Sequence, residues 1–427
     1  MQFRTVILTL CLFLAATLSA GDNWPQWRGP HLDQTSSEEN LPLEWGPESN
    51  VAWKLAMPAR SGATPIVWGD RIFLSVGYDP QESDRLELWC VDRRSGQPVW
   101  KRELGGGNEI LRKQNLSSPS PVTDGKHVYV VSGTGILRAY DFEGQQVWTR
   151  DLQADYGAFG LKWGYASSPL LHEDALYLQV LHGWYTDDPS YLLRIDKATG
   201  KTLWKVERPE EAYGQESPDS YATPALLRHN GHTQIVIVGA DVVTGHDPED
   251  GKELWRVGGL NPEPSATQRL VASPVVGNGY LYVFGKRGPI LAYKIGDDGT
   301  ISSDDLAWTR ERGTDVPTPV TDGRYLYVVN DRGVVTTLRA DSGQVVYGPE
   351  RVEVGTYSAS PLLADGRIYA TSEEGTTTVF KTGPQFEVLA TNKVQGYTLS
   401  TPAISNGQFF IRTAEFLYAV GSEEPEQ

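Results

Sequence analysis

The sequence predicts an all-β fold, namely an eight-bladed β-propeller whose blades are four-stranded antiparallel sheets. A recurring Ser/Thr-Pro pair and a recurring strand-turn-strand pattern carry this prediction. The composition agrees with it, because 44 Gly, 13 Trp and 20 Tyr among 427 residues are typical of strands and tight turns rather than of helices. A lone four-stranded sheet leaves both faces uncovered, so such repeats bury their apolar surface by packing radially against one another.

The first pattern is a Ser/Thr-Pro pair that is followed by apolar residues, a turn and a second apolar strand. Its eight copies are Thr64-Pro65, Ser120-Pro121, Ser168-Pro169, Thr223-Pro224, Ser273-Pro274, Thr318-Pro319, Ser360-Pro361 and Thr401-Pro402. Most copies are followed by an Asp-Gly or Asn-Gly turn, such as Asp322-Gly323, which suits a tight hairpin because these residues accept positive φ. Each repeat therefore begins with two antiparallel strands.

The second pattern supplies the other two strands of each repeat. Asp92 to Trp100 is echoed by Asp196 to Trp204, as a strand, an Asp-Gly-type turn and a strand that carries an aromatic residue. An Asp that recurs at one position in several blades indicates a structural role, since its carboxylate can hold the turn through hydrogen bonds to the backbone.

The last repeat lacks its outer strand, and residues 50–57 resemble the missing piece. We expect this N-terminal strand to pair into the last blade and close the ring, which removes exposed sheet edges. The predicted organisation is a signal peptide (1–20), an extended leader (21–49), one propeller (50–421) and an acidic tail (422–427).

The N-terminus has the features of a secretory signal peptide. Arg4 precedes an apolar run from Val6 to Ala16, and the small residues Ser19 and Ala20 follow. A membrane anchor is the alternative, but the run to Ala20 is shorter than the ~20 residues that span a bilayer. The sequence therefore predicts a periplasmic or secreted protein with no membrane span after signal cleavage. Cys90 is then a single cysteine, which we interpret as a buried strand residue.

The repeats resemble the pyrroloquinoline-quinone (PQQ) repeat, over about residues 50–421. This family includes quinoprotein dehydrogenases and the BamB-like propellers of exported bacterial proteins, and the leader Trp24 to Pro30 resembles that of the exported members. In the family, repeated tryptophans dock between neighbouring blades. The resemblance assigns this structural role to Trp53, Trp100, Trp148, Trp204, Trp255 and Trp308.

The resemblance leaves catalysis open. Quinoprotein alcohol dehydrogenases have an adjacent Cys-Cys pair, and their electron-transferring relatives have a Cys-x-x-Cys-His haem motif; neither occurs in this sequence. No cluster has a spacing that identifies a Ca²⁺ site, although some quinoprotein sugar dehydrogenases also lack the Cys pair. The sequence therefore favours a non-catalytic binding scaffold with no cofactor and no metal. The alternative is a PQQ- and Ca²⁺-dependent dehydrogenase that oxidises an alcohol or a sugar.

Function is expected where the blades differ, in the stretches that precede each Ser/Thr-Pro pair and ring one mouth of the axial channel. Aromatic and Arg residues are enriched at binding hot spots. The predicted ligand-binding residues are Arg60, Asn115, Trp163, Tyr165, Asp219, Tyr221, Gln268, Arg269, Asp315, Tyr357 and Tyr397.

These residues predict a monomer that binds an envelope or extracellular protein, or a small polar ligand. A further alternative is a polysaccharide-binding module that uses Trp163, Tyr165 and Trp184. The formal net charge of −16 argues against nucleic acid as a partner, because phosphate backbones bind clusters of Lys and Arg.

Overall fold

The structure, a computed structural model, describes residues 23–208 and 212–422. It confirms the predicted eight-bladed, four-stranded propeller. The predicted signal peptide lies outside the described residues, as do residues 423–427 of the predicted acidic tail. None of the helices in the described residues is long and apolar enough to cross a membrane.

Each blade is a meander of neighbouring strands, numbered here from the innermost strand outward. Blade 1 contains Ile66–Trp68, Arg71–Gly77, Leu86–Asp92 and Pro98–Gly105. Blade 2 contains Val122–Thr123, His127–Val131, Ile136–Asp141 and Gln146–Asp151. Blade 3 contains Leu170–His172, Ala175–Val180, Tyr191–Asp196 and Thr202–Glu207. Blade 4 contains Ala225–His229, His232–Gly239, Val242–His246 and Glu253–Val257.

The second half of the ring repeats the same order. Blade 5 contains Val275–Gly277, Tyr280–Phe284, Ile290–Lys294 and Leu306–Arg310. Blade 6 contains Val320–Thr321, Tyr325–Val329, Val334–Arg339 and Val345–Arg351. Blade 7 contains Leu362–Ala364, Arg367–Thr371, Thr376–Lys381 and Val388–Lys393. Blade 8 contains Ala403–Ser405, Gln408–Arg412, Phe416–Val420 and, as its outer strand, Val51–Ala56.

Blade 8 is therefore built from both ends of the chain, as the sequence predicts. Val51–Ala56 runs antiparallel to Phe416–Val420, with Ala56 opposite Phe416. Outside the blades lie a short hairpin (Ile110–Leu111 with Gln114–Asn115), an α-helix (Leu152–Tyr156) and a 3₁₀-helix (Ser303–Asp305).

The repeated Ser/Thr-Pro pairs form a ring of hydrogen bonds around the axis. At seven junctions, the backbone N–H of the Ser or Thr donates to the hydroxyl oxygen of the equivalent residue in the next blade, at 2.9–3.1 Å. At the eighth, between blades 8 and 1, the Thr64 hydroxyl has no hydrogen-bond partner among the described residues. The repeated hydroxyl thus joins neighbouring blades at their innermost strands.

The repeated tryptophans join neighbouring blades farther from the axis. Five of the six indoles donate a hydrogen bond from Nε1 to a backbone carbonyl of the next blade. These pairs are Trp53–Arg93, Trp100–Phe142, Trp148–Lys197, Trp204–Pro248 and Trp308–Ala340, at 2.8–3.1 Å. Beneath the rings lies the turn glycine of the next blade. A Cβ atom on Gly200 would lie 2.7 Å from the Trp148 ring, for example.

Trp255 differs from the other five, because its indole turns back onto its own blade. Its Nε1 donates to Gln234 Oε1 at 2.6 Å, and Gln234 Nε2 donates onward to the Gly299 carbonyl of blade 5 at 3.1 Å. The glutamine therefore relays the contact between blades 4 and 5. Gly245 makes this arrangement possible, since a Cβ there would lie 2.2 Å from the Trp255 ring.

The leader begins by crossing the face of the ring at which the innermost strands end. Trp24 exchanges two backbone hydrogen bonds with Val67 of blade 1. The Pro25 carbonyl accepts from the Thr123 N–H of blade 2 at 2.9 Å. This face is called the lower face below, and the face at which the innermost strands begin is called the upper face.

The leader continues across the axis to the opposite side of the ring, where Arg28 donates from Nη1 to the Pro274 carbonyl of blade 5 at 2.7 Å, and then turns back to blades 7 and 8. Ser36 donates its backbone N–H to the Leu363 carbonyl of blade 7 at 3.0 Å. The Glu38 carboxylate accepts from the backbone N–H groups of Asn406 and Gly407 in blade 8. The leader is thus an integral part of the folded domain, tied to blades on opposite sides of the axis.

The stacking of tryptophan on glycine predicts a graded response to alanine substitution. Gly200 and Gly366 both have φ near +70°, but a Cβ on Gly200 meets the Trp148 ring, whereas a Cβ on Gly366 meets nothing within 4 Å. Both Gly→Ala changes incur the left-handed penalty of about 1–2 kcal/mol. We expect Gly200→Ala to lose a further ~1–3 kcal/mol by overpacking. Urea denaturation measures the difference, and equal losses for the two variants would show that the stacking contributes nothing.

Candidate functional site

A cavity of about 460 Å³ lies on the propeller axis and opens at the upper face. Its walls come from three places: the stretches before the Ser/Thr-Pro pairs, the turns between second and third strands, and the 110–115 hairpin. The hydroxyl ring lines its deeper part, and Trp27 of the leader also lines it. Residues 24–28 of the leader bond to blades 1, 2, 3 and 5 below the cavity, so the leader closes its lower end and leaves the upper mouth.

Four of the eleven predicted site residues line this cavity. They are Trp163, Tyr221, Arg269 and Asp315, and they come from the connections that enter blades 3, 4, 5 and 6. Their spacing along the chain is about one blade, so the circular arrangement brings residues that are distant in sequence to a single mouth.

Two other predicted residues support the hairpin rather than line the cavity. Asn115 is 1% exposed, and its side-chain amide donates to the Arg60 carbonyl at 2.6 Å. Arg60 in turn donates from Nη2 to the Arg112 carbonyl at 2.6 Å. The two residues therefore position Arg112 at the mouth.

Two predicted tyrosines are packed inside the protein. Tyr165 and Tyr357 are each 1% exposed. The Tyr165 ring contacts Phe159, with 4.7 Å between ring centroids, and the Tyr357 hydroxyl donates to the Glu353 carbonyl at 2.7 Å. Neither phenol lines the cavity.

The remaining residues outside the cavity lining stabilise loops of the upper face. Gln268 donates its side-chain amide to the Leu260 carbonyl at 2.8 Å. The Tyr397 hydroxyl donates to Glu373 at 2.8 Å, and Glu373 also forms an ion pair with Lys113 at 2.6 Å. Lys113 itself lines the cavity.

Several cavity residues were not among those that the sequence singled out. They are Trp27, Arg112, Lys113, Arg287, Asp331 and Arg332. The turns that carry Arg287 and Arg332 connect second to third strands, and in an antiparallel meander these turns lie at the same face as the stretches before each innermost strand. The order of the strands could therefore have predicted that Arg287 and Arg332 lie at the upper face. The position of Trp27 could not be predicted in this way, because it depends on where the leader packs.

Trp163 is held rigidly at the cavity wall. Its Nε1 donates to Glu216 Oε1 at 2.7 Å, and its backbone N–H donates to the Tyr221 hydroxyl at 3.1 Å. The Arg112 guanidinium lies 5.8 Å from the centre of the Trp163 ring, and the Lys162 ammonium lies 5.1 Å from it. The indole is thus a half-buried aromatic wall with cations beside it.

Asp219 organises the loops behind Trp163. Its side chain is fully buried and accepts hydrogen bonds from the backbone N–H groups of Lys162, Gly183 and Trp184, and from the Tyr221 hydroxyl. Burial raises the pKa of Asp219 to about 6, against the opposing effect of these donors. The carboxylate therefore fixes the walls of the cavity from behind.

The cavity lining has an excess of positive charge. Five of its side chains are cationic, namely Arg112, Lys113, Arg269, Arg287 and Arg332, and two are carboxylates, Asp315 and Asp331. Both carboxylates already have partners. Asp315 pairs with Arg269 at 3.2 Å, and Asp331 accepts from the backbone N–H groups of residues 315 and 316.

Three of the five cations have no such partner. The guanidinium groups of Arg112, Arg287 and Arg332 make no hydrogen bond or ion pair with any residue in 23–208 or 212–422. All three residues are exposed at the mouth. In a chain with a net charge of −16, they form a local positive site.

A family model described as outer membrane protein assembly factor BamB matches residues 84–349, more than half of the chain. The chain belongs to this family. The expected PQQ-repeat, BamB-like relationship is therefore confirmed. BamB of Yersinia pestis is 20% identical over 301 residues, which are 67% of this chain and 67% of that protein.

Two solved structures have a similar fold at low sequence identity. BamB from Moraxella catarrhalis has a TM-score of 0.63 and 13% identity, over 87% of this chain and 99% of that chain. Quinohemoprotein alcohol dehydrogenase from Comamonas testosteroni has a TM-score of 0.66 and 11% identity, over 96% and 82% of the two chains. At these identities the likeness concerns the fold and does not separate a BamB from a dehydrogenase.

The donor set of the cavity does not fit a Ca²⁺ site. In residues 23–208 and 212–422, no group of three or more His, Cys, Asp and Glu side chains is placed to hold a metal ion. Asp315 Oδ2 is engaged by Arg269, and both oxygens of Asp331 are engaged by backbone N–H groups. Asp315 Oδ1 alone among these oxygens has no hydrogen-bond partner in the described residues. Ca²⁺ takes six to eight oxygen ligands.

The raised pKa of Asp219 predicts a pH dependence of stability with a defined sign. The folded protein binds this proton more tightly than the unfolded chain, so the cost of the buried carboxylate is relieved as the pH falls from about 6 toward the ordinary value of 3.8. The free energy of unfolding of the wild type minus that of Asp219→Asn should rise over this window, by at most about 3 kcal/mol.

Asp196 supplies a control of opposite sign. A hydrogen bond from Thr199 lowers the pKa of Asp196 in its exposed turn. The difference between the wild type and Asp196→Asn should therefore fall as the pH drops below about 4. Urea denaturation between about pH 2 and pH 8 measures both differences, and a flat profile for Asp219 would contradict the assignment.

Proposed function

We propose that this protein is a non-catalytic binding scaffold whose upper face binds an acidic segment of an envelope or extracellular protein. The observation that carries the proposal is the set of three unpaired guanidinium groups, Arg112, Arg287 and Arg332, around a blind cavity. Arg side chains are over-represented at binding hot spots and form bidentate pairs with carboxylates. An acidic segment would supply the acceptors that these groups lack.

Exposed apolar side chains around the mouth support a protein partner. Four large apolar residues of the upper-face loops are strongly exposed: Ile110 at 42%, Tyr185 at 70%, Tyr213 at 61% and Val354 at 74%. Large apolar side chains that are exposed on the same face as a charged pocket are typical of a protein interface. The cavity would then take one acidic group, and the surrounding loops would contact the rest of the partner.

The blind shape of the cavity restricts how a partner can enter it. Because the leader crosses the lower face, a chain cannot thread through the ring, and the bound group must enter and leave by the upper mouth. This geometry favours a chain end or a protruding side chain. The names of the relatives, outer membrane protein assembly factors, support a partner in the cell envelope and a periplasmic or secreted location.

The two alternative functions have weaker support in the geometry. A polysaccharide platform of Trp163, Tyr165 and Trp184 would need three accessible rings, but Tyr165 is 1% exposed. A PQQ-dependent dehydrogenase would need a Ca²⁺ site that the cavity carboxylates do not form. Dye-linked oxidation of alcohols or sugars by the purified protein with added PQQ and Ca²⁺, lost in Trp163→Ala, would overturn the scaffold proposal.

Charge reversal at the mouth tests the proposal directly. We expect Arg112→Glu combined with Arg332→Glu to weaken binding of the partner at least about tenfold, or ~1.4 kcal/mol, because attraction becomes repulsion. The partner is first captured from envelope extract and identified by mass spectrometry. Its dissociation constant is then measured with purified proteins at two salt concentrations, and binding should weaken at higher salt.

Lys126 provides the matched control, since it is an exposed cation in a lower-face turn with no ion pair among the described residues. Two charge reversals on this face, Lys126→Glu and Lys381→Glu, change the net charge as much as the mouth variant does. They should leave the dissociation constant unchanged within about twofold. Equal weakening by the two pairs would mean that only the overall charge matters.

A further inference from the structure

The seam between blade 8 and blade 1 holds a buried arginine whose charge has no partner. Arg412 ends the second strand of blade 8 and is 1% exposed. Its Nη1 donates to the Ser75 carbonyl of blade 1 at 2.5 Å, but its Nε and Nη2 have no hydrogen-bond partner. No carboxylate within the described residues forms an ion pair with it. Burial lowers the pKa of Arg412 to about 9, so the group remains charged at neutral pH.

A hydroxyl group without a partner lies at the same level of this seam. In blade 1, Ile66 is opposite Phe73, and the same register places Thr64 opposite Ser75. The hydroxyl oxygen of Thr64 is buried without a hydrogen bond. The Ser75 side chain lies on the other face of blade 1, where Phe73 and Leu88 pack against blade 2. In blade 8, Ala403 is opposite Phe410, and the register places Thr401 opposite Arg412. Guanidinium and hydroxyl donors of two blades therefore share one level of the seam.

A second buried arginine shows how this fold satisfies a guanidinium group with protein atoms alone. Arg208 is also 1% exposed, and its Nε, Nη1 and Nη2 donate to Thr244 Oγ1, the Gly239 carbonyl and the Val242 carbonyl, at 2.7–3.1 Å. Arg412 has one such acceptor. Arg28 of the leader also has one acceptor and an unpartnered Nε and Nη2, but Asp33 interacts with its charge. No carboxylate of the described residues does so for Arg412, and the uncompensated charge is what distinguishes Arg412.

The seam is also the junction at which the hydroxyl ring is incomplete. Seven blade junctions carry the hydrogen bond from a Ser or Thr N–H to the next hydroxyl, and the unpartnered hydroxyl of the eighth is that of Thr64. The blades that meet here come from opposite ends of the chain. A missing bond and an uncompensated charge thus coincide at the point where the ring closes.

We propose that a small monovalent anion of the size of chloride binds between blades 8 and 1, with Arg412 as its cationic ligand and Thr64 as a hydroxyl donor. An anion supplies the counter-charge that the Arg412 guanidinium lacks and the acceptor that the Thr64 hydroxyl lacks. A water molecule would supply the acceptor but leave a buried charge uncompensated, which costs several kcal/mol. Binding at this seam couples the anion to ring closure and therefore to stability.

Thermal unfolding of the full chain without its predicted signal peptide, in chloride and in gluconate at equal ionic strength, tests the proposal. Gluconate is too large for an interior site between blades. We expect the melting temperature to rise saturably with chloride, by a few degrees, since a ligand that binds only the folded state stabilises it. Arg412→Met should abolish this rise, and Thr64→Val should shift it to higher chloride concentrations.

Arg208→Met is the matched control, because it removes an equally buried arginine that has its own acceptors. This variant should be destabilised yet keep the chloride-dependent rise of the wild type. A wild type whose melting temperature is the same in chloride and gluconate would overturn the proposal, as would a rise that survives in Arg412→Met.

If Arg412→Met does not fold, crystals of the wild type grown in bromide decide the question. An anomalous peak within hydrogen-bonding distance of Arg412 Nε or Nη2 is the expected result. Water at that position, with no anomalous signal, would refute the site. Neither measurement depends on a partner, so this proposal can fail while the proposed binding function stands, and the reverse also holds.

Discussion

The structure depends on the hydrogen bond that the backbone of each Ser/Thr-Pro pair makes to the hydroxyl of the next blade. The hydroxyl accepts a hydrogen bond, and the proline beside it has no backbone N–H that would need an acceptor. The pair therefore suits an innermost strand that is crowded against the axis. Repetition turns one local contact into a ring at fixed radius. The tryptophan-on-glycine contacts then set the spacing farther out. The two contacts together hold neighbouring blades at two distances from the axis.

The leader gives the ring its polarity. A closed propeller has two mouths, and nothing in the blade repeat makes one of them the functional one. Because the leader packs across the lower face and Trp27 lines the axial space, the channel becomes a cavity that opens only upward. The unpaired arginines lie around this one mouth. The segment that precedes the repeats thus has as much influence on the site as the blades themselves.

The site could be predicted only in part. Trp163, Arg269 and Asp315 were accessible to reasoning, since residues at one position of successive repeats must ring one mouth. Tyr165 and Tyr357 occupy equivalent positions, yet their side chains turn into the protein. The direction of a side chain in an irregular loop depends on packing partners, such as Phe159, that lie outside the repeat pattern. The spacing of a motif therefore places a residue near a mouth but does not orient it.

The sequence by itself determined the fold class, the number of blades and the closing strand, because each is a property of a local pattern that recurs. The alternation of apolar residues in a strand, the glycine of a turn and the docking tryptophan can each be recognised in a stretch of a few residues. Only the tertiary structure decided which mouth is open, which charges are paired and where a charge is left without a partner. Those outcomes depend on contacts such as that of Arg412 with Ser75, which join residues 337 positions apart. Closure of the ring brings such residues together, and no local pattern in the sequence predicts which of them will meet.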